Sequence, residues 1–177
     1  MHYKTYYDSP IGRIALTSDG TNLTGLWLPK HKEFEQYYNE NLTEIELAIF
    51  DKVSDWLDNY FSGNKPEIDF PLAPEGTPFR KQVWNLLLDI PYGETVTYGQ
   101  IAQTLARQNG KEKMSSQAVG GAVGNNPISI IIPCHRVVGK DGNLTGYGGG
   151  IDTKIALFKI EKMNMDNYYR PKYSTKP

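Results

Sequence analysis

A chain of 177 residues, 39% of them apolar, is long enough for one globular domain or two small ones. No stretch approaches the ~20 apolar residues of a membrane helix, and the opening MHYKTYYDSPIG lacks the apolar core of a secretory signal. A single cysteine excludes an internal disulfide, and with only three histidines beside it a structural zinc site is not expected; a reducing, cytoplasmic setting with no metal or cofactor fits best.

The net charge of −1 is unevenly spread. Residues 1–79 hold 6 basic against 13 acidic side chains, a balance of −7. Residues 80–140 hold 7 against 3, or +4, and residues 141–177 hold 6 against 4, or +2. An acidic first half joined to a basic second half points to an anionic partner for the second half, with chance variation of a solvated surface as the competing reading.

The first segment reads as β-rich. HYKTYY and GRIALTS are β-prone runs around the turn DSPIG, and NLTGLWLP follows as a third strand. Next comes a helix in LTEIELAIFDKVSDWLDNYFSG, where Ile45, Ile49, Val53, Trp56, Leu57 and Tyr60 recur at three- and four-residue steps. Thr43 and Glu46 have capping-box spacing, and Gly63 suits the stop. PEIDFPLAPEG is Pro-rich and extended, which places a linker near residues 65–75. No internal repeat is present.

The second segment is mostly helical. Thr77 is a candidate N-cap with Pro78 at the first helical position; Phe79, Val83, Leu87 and Ile90 line one face, and Pro91 ends it. Thr97 and Gln100 repeat the capping-box spacing ahead of YGQIAQTLARQ. The polar loop NGKEKMS leads to a further helix, SQAVGGAVGNN, and the pair fits a helix-turn-helix with a long turn. Ala118, Gly120, Gly121, Ala122 and Gly124 make that second helix a poor helix former, each interior glycine costing about 1 kcal/mol against alanine. The small face admits another backbone, either a packed helix or a nucleic-acid groove. NNP then breaks the helix, ISIII reads as a buried strand, and a last helix over about 152–163 carries Ile155, Phe158 and Met163. The polar remainder, 166–177, is expected to be a flexible tail.

The lone Cys134 follows the apolar run, between Pro133 and His135. Buried cysteines are most often small core hydrophobes, but His135 is a base and Arg136 a cation, and both favour a thiolate. Side chains adjacent in an extended segment point to opposite faces, so a bridging water or a bend at Pro133 is needed for the pair to cooperate. A carboxylate that fixes the imidazole would complete the relay; Glu161, Asp141 and Asp152 are the candidates, and spacing alone does not choose among them.

IPCHRVVGKDGNLTGYGGG, together with PFRKQVWNLLLDIPYGETVTYGQIA and QAVGGAVGNNP, closely resembles the O6-alkylguanine-DNA alkyltransferase (methylated-DNA–protein-cysteine methyltransferase) family, through about residues 75–163. Residues 1–70 resemble the family's variable N-terminal domain in size and element order only. The resemblance implies an α+β fold: a small ribonuclease-H-like domain over residues 1–72, then a mostly helical domain over 75–165 with the helix-turn-helix and the active site. It also implies the activity, a single-turnover transfer of an alkyl group from O6 of a flipped guanine to Cys134. The expected partner is double-stranded DNA containing O6-alkylguanine, met by a monomer.

The roles below are carried by that resemblance. His135 deprotonates Cys134 through a water, and Glu161 orients His135. Tyr98 hydrogen-bonds N3 of the guanine and supplies a proton to the leaving group. The carbonyls of Cys134 and Val137 accept from the exocyclic amine, and the Gly148 amide donates to O6. Asn126 braces the turn between recognition helix and active site, while Tyr147 and Gly149 shape the alkyl pocket. Ser116, Gln117, Ala118 and Gly121 on the recognition helix, with Arg136, Lys111 and Lys113, are the DNA-contacting set, docked in the minor groove.

Two positions depart from the family. Gln117 stands where members commonly place the arginine that fills the gap left by the flipped base, and Gly148 stands where some have serine. The loop 108–114 is also longer than in compact members. A non-catalytic, lesion-binding relative would lack the cysteine, which is present. A thiol hydrolase built on Cys134 and His135 would leave the helix-turn-helix unexplained and shows no sign of an oxyanion site.

Overall fold

The computed structural model describes residues 2–31, 33–35, 42–147 and 149–171. The chain divides into two compact units, residues 1–75 with 127–131, and residues 76–126 with 132–177.

The first unit is built on a four-stranded sheet. Strands β1 (Tyr3–Ser9), β2 (Gly12–Ser18) and β3 (Leu23–Trp27) form an antiparallel meander, Tyr3 opposite Ser18 and Ala15 opposite Trp27. The turn between β1 and β2 needs Gly12, whose φ of +113° is strained for any side chain. Helix α1 (Ala48–Phe61) sets Ile49, Val53, Trp56, Leu57 and Tyr60 inward, as the periodicity predicts, adds Phe50, leaves Ile45 before its start, and ends at Gly63 with φ +89°.

Three expectations change in this unit. Thr43 and Glu46 do not cap α1: Thr43–Glu44 instead forms a short strand, β4, parallel to Tyr3 and Lys4. The helix begins at Ala48 with no side-chain cap, because the sheet edge takes the residues that would have capped it. The linker is partly sheet edge, since the Leu23 N–H donates to the Pro71 carbonyl (3.0 Å) and the Ala73 N–H to the Leu23 carbonyl (2.8 Å). ISIII is not a strand. Ile128 makes an isolated bridge to Leu26, with Leu26 N–H donating to Pro127 O (2.8 Å) and Ser129 N–H to Leu26 O (3.1 Å), after which Ile130 turns with φ +70°. Residues 127–131 therefore belong with the N-terminal sheet, although they lie far along the chain.

The second unit follows its sequence signals more closely. Helix α2 (Pro78–Leu87) is capped by Thr77, whose hydroxyl accepts from the Arg80 N–H. Helix α3 (Tyr98–Gln108) carries the full Thr97/Gln100 capping box, and α4 (Ser116–Gly124) is capped by Ser115. These three helices pack on one another, and Trp84 of α2 donates its indole N–H to the Ala122 carbonyl of α4 at 2.8 Å. Strands β5 (Val96–Thr97) and β6 (Val137–Val138) pair in parallel, Val96 beside Val137. Helix α5 (Ile151–Ile160) closes the unit and buries Lys154, Leu157 and Phe158. Beyond it, residues 165–171 are not a free tail: Met165–Asn167 forms a 3-10 turn, and Tyr169 bridges to Asn143. Residues 172–177 of the expected tail lie outside the described residues.

Candidate active site

Two tight turns deliver the cysteine. Asn126, buried at the end of α4, donates its side-chain amide to the Ile132 carbonyl at 2.8 Å and so braces the approach. Pro133 then takes φ −80°, ψ +65°, the inverse γ-turn, closed by the Cys134 N–H on the Ile132 carbonyl at 2.7 Å. Residues Cys134–Arg136 continue as one 3-10 turn. Consecutive side chains are thus splayed by about 120° rather than the opposition of an extended strand. The bend anticipated at Pro133 is present, and the expected extended geometry is replaced by a helical turn.

His135 and Glu161 form the centre. His135 is 0% exposed and Glu161 3% exposed, and His135 Nε2 is hydrogen-bonded to Glu161 Oε2. Glu161 Oε1 accepts from the Gly93 N–H (2.9 Å) and from Arg136 Nε (2.9 Å). Glu161 is thereby selected over Asp141 and Asp152, both exposed; Asp152 pairs instead with Arg170. Its position as the last residue turned in by α5 brings it under the cysteine turn. Burial is the largest influence on His135 and pulls its pKa below the usual 6.5, opposed by the hydrogen bond and charge of Glu161 and assisted by Arg136 and Lys154. With the Nε2 proton held by Glu161, the neutral ring carries its lone pair on Nδ1, the nitrogen able to take a proton.

Arg136 does not belong to the DNA-contacting set. It is buried, and beyond Glu161 it donates to the Ile90 carbonyl at 2.9 Å. Desolvation of a guanidinium demands such partners, so its charge is used to fix the Glu161 carboxylate.

Lys154 is a buried charged residue at the site that sequence reading misses. It is 0% exposed on the inner side of α5, and its Nζ donates to the Val137 carbonyl at 2.6 Å and to the Thr145 carbonyl at 3.4 Å. Burial pushes its pKa down to about 8, and the charge of Cys134 pushes it up. One signal was legible: Lys154 lies seven residues before Glu161, two helical turns, on the same face as Leu157 and Phe158.

Tyr98 reaches the site through β5 and β6, whose pairing sets the start of α3 beside the exit of the cysteine turn. Its hydroxyl donates to the Gly146 carbonyl at 3.0 Å. Burial, then the charge of Cys134, raises its pKa far above 10. It stays protonated at any physiological pH, as a proton donor must. Tyr147 and Gly149 are buried in the same loop, while Gly148 lies outside the described residues. The carbonyls of Cys134 and Val137 already accept from the Val137 N–H and from Lys154, and each oxygen keeps a second lone pair for a ligand amine.

On α4, Ser116, Gln117 and Ala118 are exposed, as are Lys111 and Lys113 in the preceding loop. A Cβ built on Gly121 would meet nothing within 4 Å, and one on Gly120 would just touch the Tyr98 ring at 4.0 Å. Gly121 is not required for helix packing within the described residues. The open part of the small face is Ala118 and Gly121, while Ala122 is buried.

The site is that of a cysteine-nucleophile protein: a buried thiol, a neutral histidine oriented by a carboxylate, a phenol kept protonated, and a buried ammonium on the carbonyls of Val137 and Thr145. Residues 78–163 match the 6-O-methylguanine DNA methyltransferase DNA binding domain, and residues 2–74 match the ribonuclease-like domain of the same methyltransferase. The chain is 46% identical to the methylated-DNA–protein-cysteine methyltransferase of Haemophilus influenzae, over 91% of this chain and 87% of that one. It is 44% identical to the Mycobacterium tuberculosis protein of the same name, covering 92% and 93%. The crystal structure of the M. tuberculosis O6-methylguanine methyltransferase superposes with a TM-score of 0.76 at 44% identity, covering 92% and 93% of the two chains. A structure of the M. tuberculosis protein in complex with DNA gives 0.77 at 41%, covering 94% of each. The chain belongs to the methylated-DNA–protein-cysteine methyltransferase family.

Proposed function

We propose that this protein repairs alkylated DNA directly, moving a methyl or larger alkyl group from O6 of guanine to Cys134 in one irreversible turnover. The observation that carries the mechanism is the buried relay, in which Glu161 orients His135 beside the cysteine turn and burial, against the pull of Glu161, favours its neutral ring. His135 receives the thiol proton, through a bridging water. The sulfur attacks the alkyl carbon, the S–C bond forms and the C–O6 bond breaks. Electron density then builds on the guanine, and Tyr98 donates its proton to N3, so that a neutral base leaves. Lys154 lies where a developing thiolate needs a cation.

A base paired in a duplex cannot reach a buried sulfur, so the nucleotide is flipped out. Tyr147 and Gly149 shape the pocket it enters. The exposed Gln117, Ser116 and Ala118 and the open Gly121 meet the minor groove, with Lys111 and Lys113 on the phosphates. No helix among the described residues is long and apolar enough to cross a membrane. Action as a cytoplasmic monomer is part of the proposal. O4-methylthymine is a further candidate substrate.

The test is intact-protein mass spectrometry after incubation with a duplex containing O6-methylguanine. One methyl group on Cys134, never more than one per protein, is the expected result. Repeated turnover, or no adduct from a reduced preparation, overturns the proposal. Cys134→Ala should retain lesion binding and lose transfer.

A further inference from the structure

The loop between β6 and α5, residues 139–150, carries the pocket residues Tyr147 and Gly149 but has little regular structure of its own. On the active-site side it is held by Tyr98 on the Gly146 carbonyl and by Lys154 on the Thr145 carbonyl. On its other side lies a segment that neither matched family domain includes, since the second match ends at residue 163. The Leu144 N–H donates to the Tyr169 carbonyl at 2.9 Å, and the Tyr169 N–H donates to the Gly142 carbonyl at 3.0 Å. The approach is close: a Cβ on Gly142 would fall 2.0 Å from the Asn167 carbonyl oxygen, and Gly142 has φ +87°. Only glycine fits beneath this segment.

Tyr168 joins further elements to the same loop. Its ring packs edge-on against Phe158 of α5 at 4.9 Å, in the cluster formed by Val138, Leu144, Phe158 and Met163. Its hydroxyl is 3.0 Å from the Thr95 hydroxyl, immediately before β5 and three residues before Tyr98. One side chain therefore touches the helix that carries Lys154 and Glu161 and the segment that carries Tyr98, while its neighbour pairs with the pocket loop. The segment is shaped locally, the Asn164 side chain capping the Met165–Asn167 turn. The Arg170–Asp152 ion pair at its end is exposed and adds little.

We infer that residues 164–170 form a strap that holds the pocket loop in its reactive arrangement, with Tyr168 and Tyr169 as positioning residues for alkyl transfer to Cys134. The inference rests on the proposed alkyl transfer. Without the strap the loop loses two main-chain hydrogen bonds and its apolar backing, and the flipped base meets a pocket that has to be ordered at each encounter. DNA affinity, set on α4 and its preceding loop, is not involved.

The experiment compares the full chain, a chain ending at Met163, Tyr168→Ala, Tyr168→Phe and Thr95→Val. First-order transfer is measured at saturating O6-methylguanine duplex, affinity on the unmodified duplex, and amide hydrogen exchange over residues 139–147. Truncation and Tyr168→Ala are expected to slow transfer about tenfold and speed loop exchange, with affinity unchanged within about twofold. Tyr168→Phe, which keeps the ring, should restore most of the rate. Thr95→Val should match it, and the double variant should be no worse than either. A full transfer rate in Tyr168→Ala and in the truncated chain overturns the strap, as does a rate that falls only in step with affinity. If the truncated chain does not fold, Tyr168→Ala decides by the same criteria. No adduct on the full-length protein would instead overturn the proposed function itself.

Discussion

The Nζ of Lys154 donates a 2.6 Å hydrogen bond to the carbonyl of Val137, three residues beyond Cys134, from a position without solvent exposure. An ammonium buried this fully needs a reason. The carbonyls of Val137 and Thr145 partly replace its water, and burial still lowers its pKa, a shift that a charged Cys134 opposes. The reverse coupling follows, so Lys154 favours the thiolate.

Lys154→Met is accordingly predicted to separate stability from activity. The folded pKa of Lys154 is about 8, below the ordinary 10.5, so its burial is tolerated best at high pH and is most unfavourable below about pH 8. At neutral pH the methionine variant should melt at a higher temperature than the parent, while reacting at least about tenfold more slowly with iodoacetamide and with alkylated duplex. A parental rate at neutral pH would remove Lys154 from the mechanism.

The pH dependence of transfer should report His135. Its folded pKa lies below 6.5, and the relay needs the neutral ring, so the rate is expected to hold as pH falls through 6.5 and to decline only lower. Stability has the same sign. Because the folded state disfavours the proton, the contribution is complete above the unfolded pKa and is lost as pH falls through the lowered one. A rate midpoint at or above 6.5, read from single-turnover profiles, would contradict a neutral His135.

Glu161→Gln removes one charge from a carboxylate that serves three partners, Gly93, His135 and Arg136. The buried guanidinium of Arg136 is left without a counter-charge, a loss of about 3 kcal/mol or more. Urea unfolding should show that loss, and transfer should drop about 100-fold because the imidazole tautomer is no longer fixed. Parental values in both measurements would show that Glu161 neither orients nor stabilises.

Gln117→Arg addresses the departure from the family on the recognition helix. Gln117 is exposed in the first turn of α4, so a cation there is free to reach DNA. Binding to duplex should tighten and its salt dependence steepen, by about one counterion in the slope. An unchanged slope in fluorescence titrations at several salt concentrations would argue that this position does not meet DNA.

Much of the second unit was legible because its signals are local. Thr77 with Pro78, the Thr97/Gln100 box and the apolar steps of α2 and α3 act within one or two turns, so reading them needed no knowledge of distant residues. The Thr43/Glu46 spacing is the same kind of signal and failed. Pairing of Thr43–Glu44 with β1, about forty residues earlier in the chain, outweighed a cap worth about 1 kcal/mol. ISIII failed likewise: Ile128 found the edge of β3, and the turn at Ile130 ended any strand.

The sequence by itself singled out Cys134 and His135 as a thiol next to a base, and the family resemblance supplied their expected roles. It also determined the starts of α2 and α3, through caps that act over a few residues. Only the tertiary structure decided that Arg136 turns inward to Glu161 and that Lys154 is buried against the carbonyls of Val137 and Thr145. Those outcomes depend on desolvation. Whether a charged side chain is solvated or must find a partner is set by what the rest of the chain packs against it, and one-dimensional spacing carries no record of that.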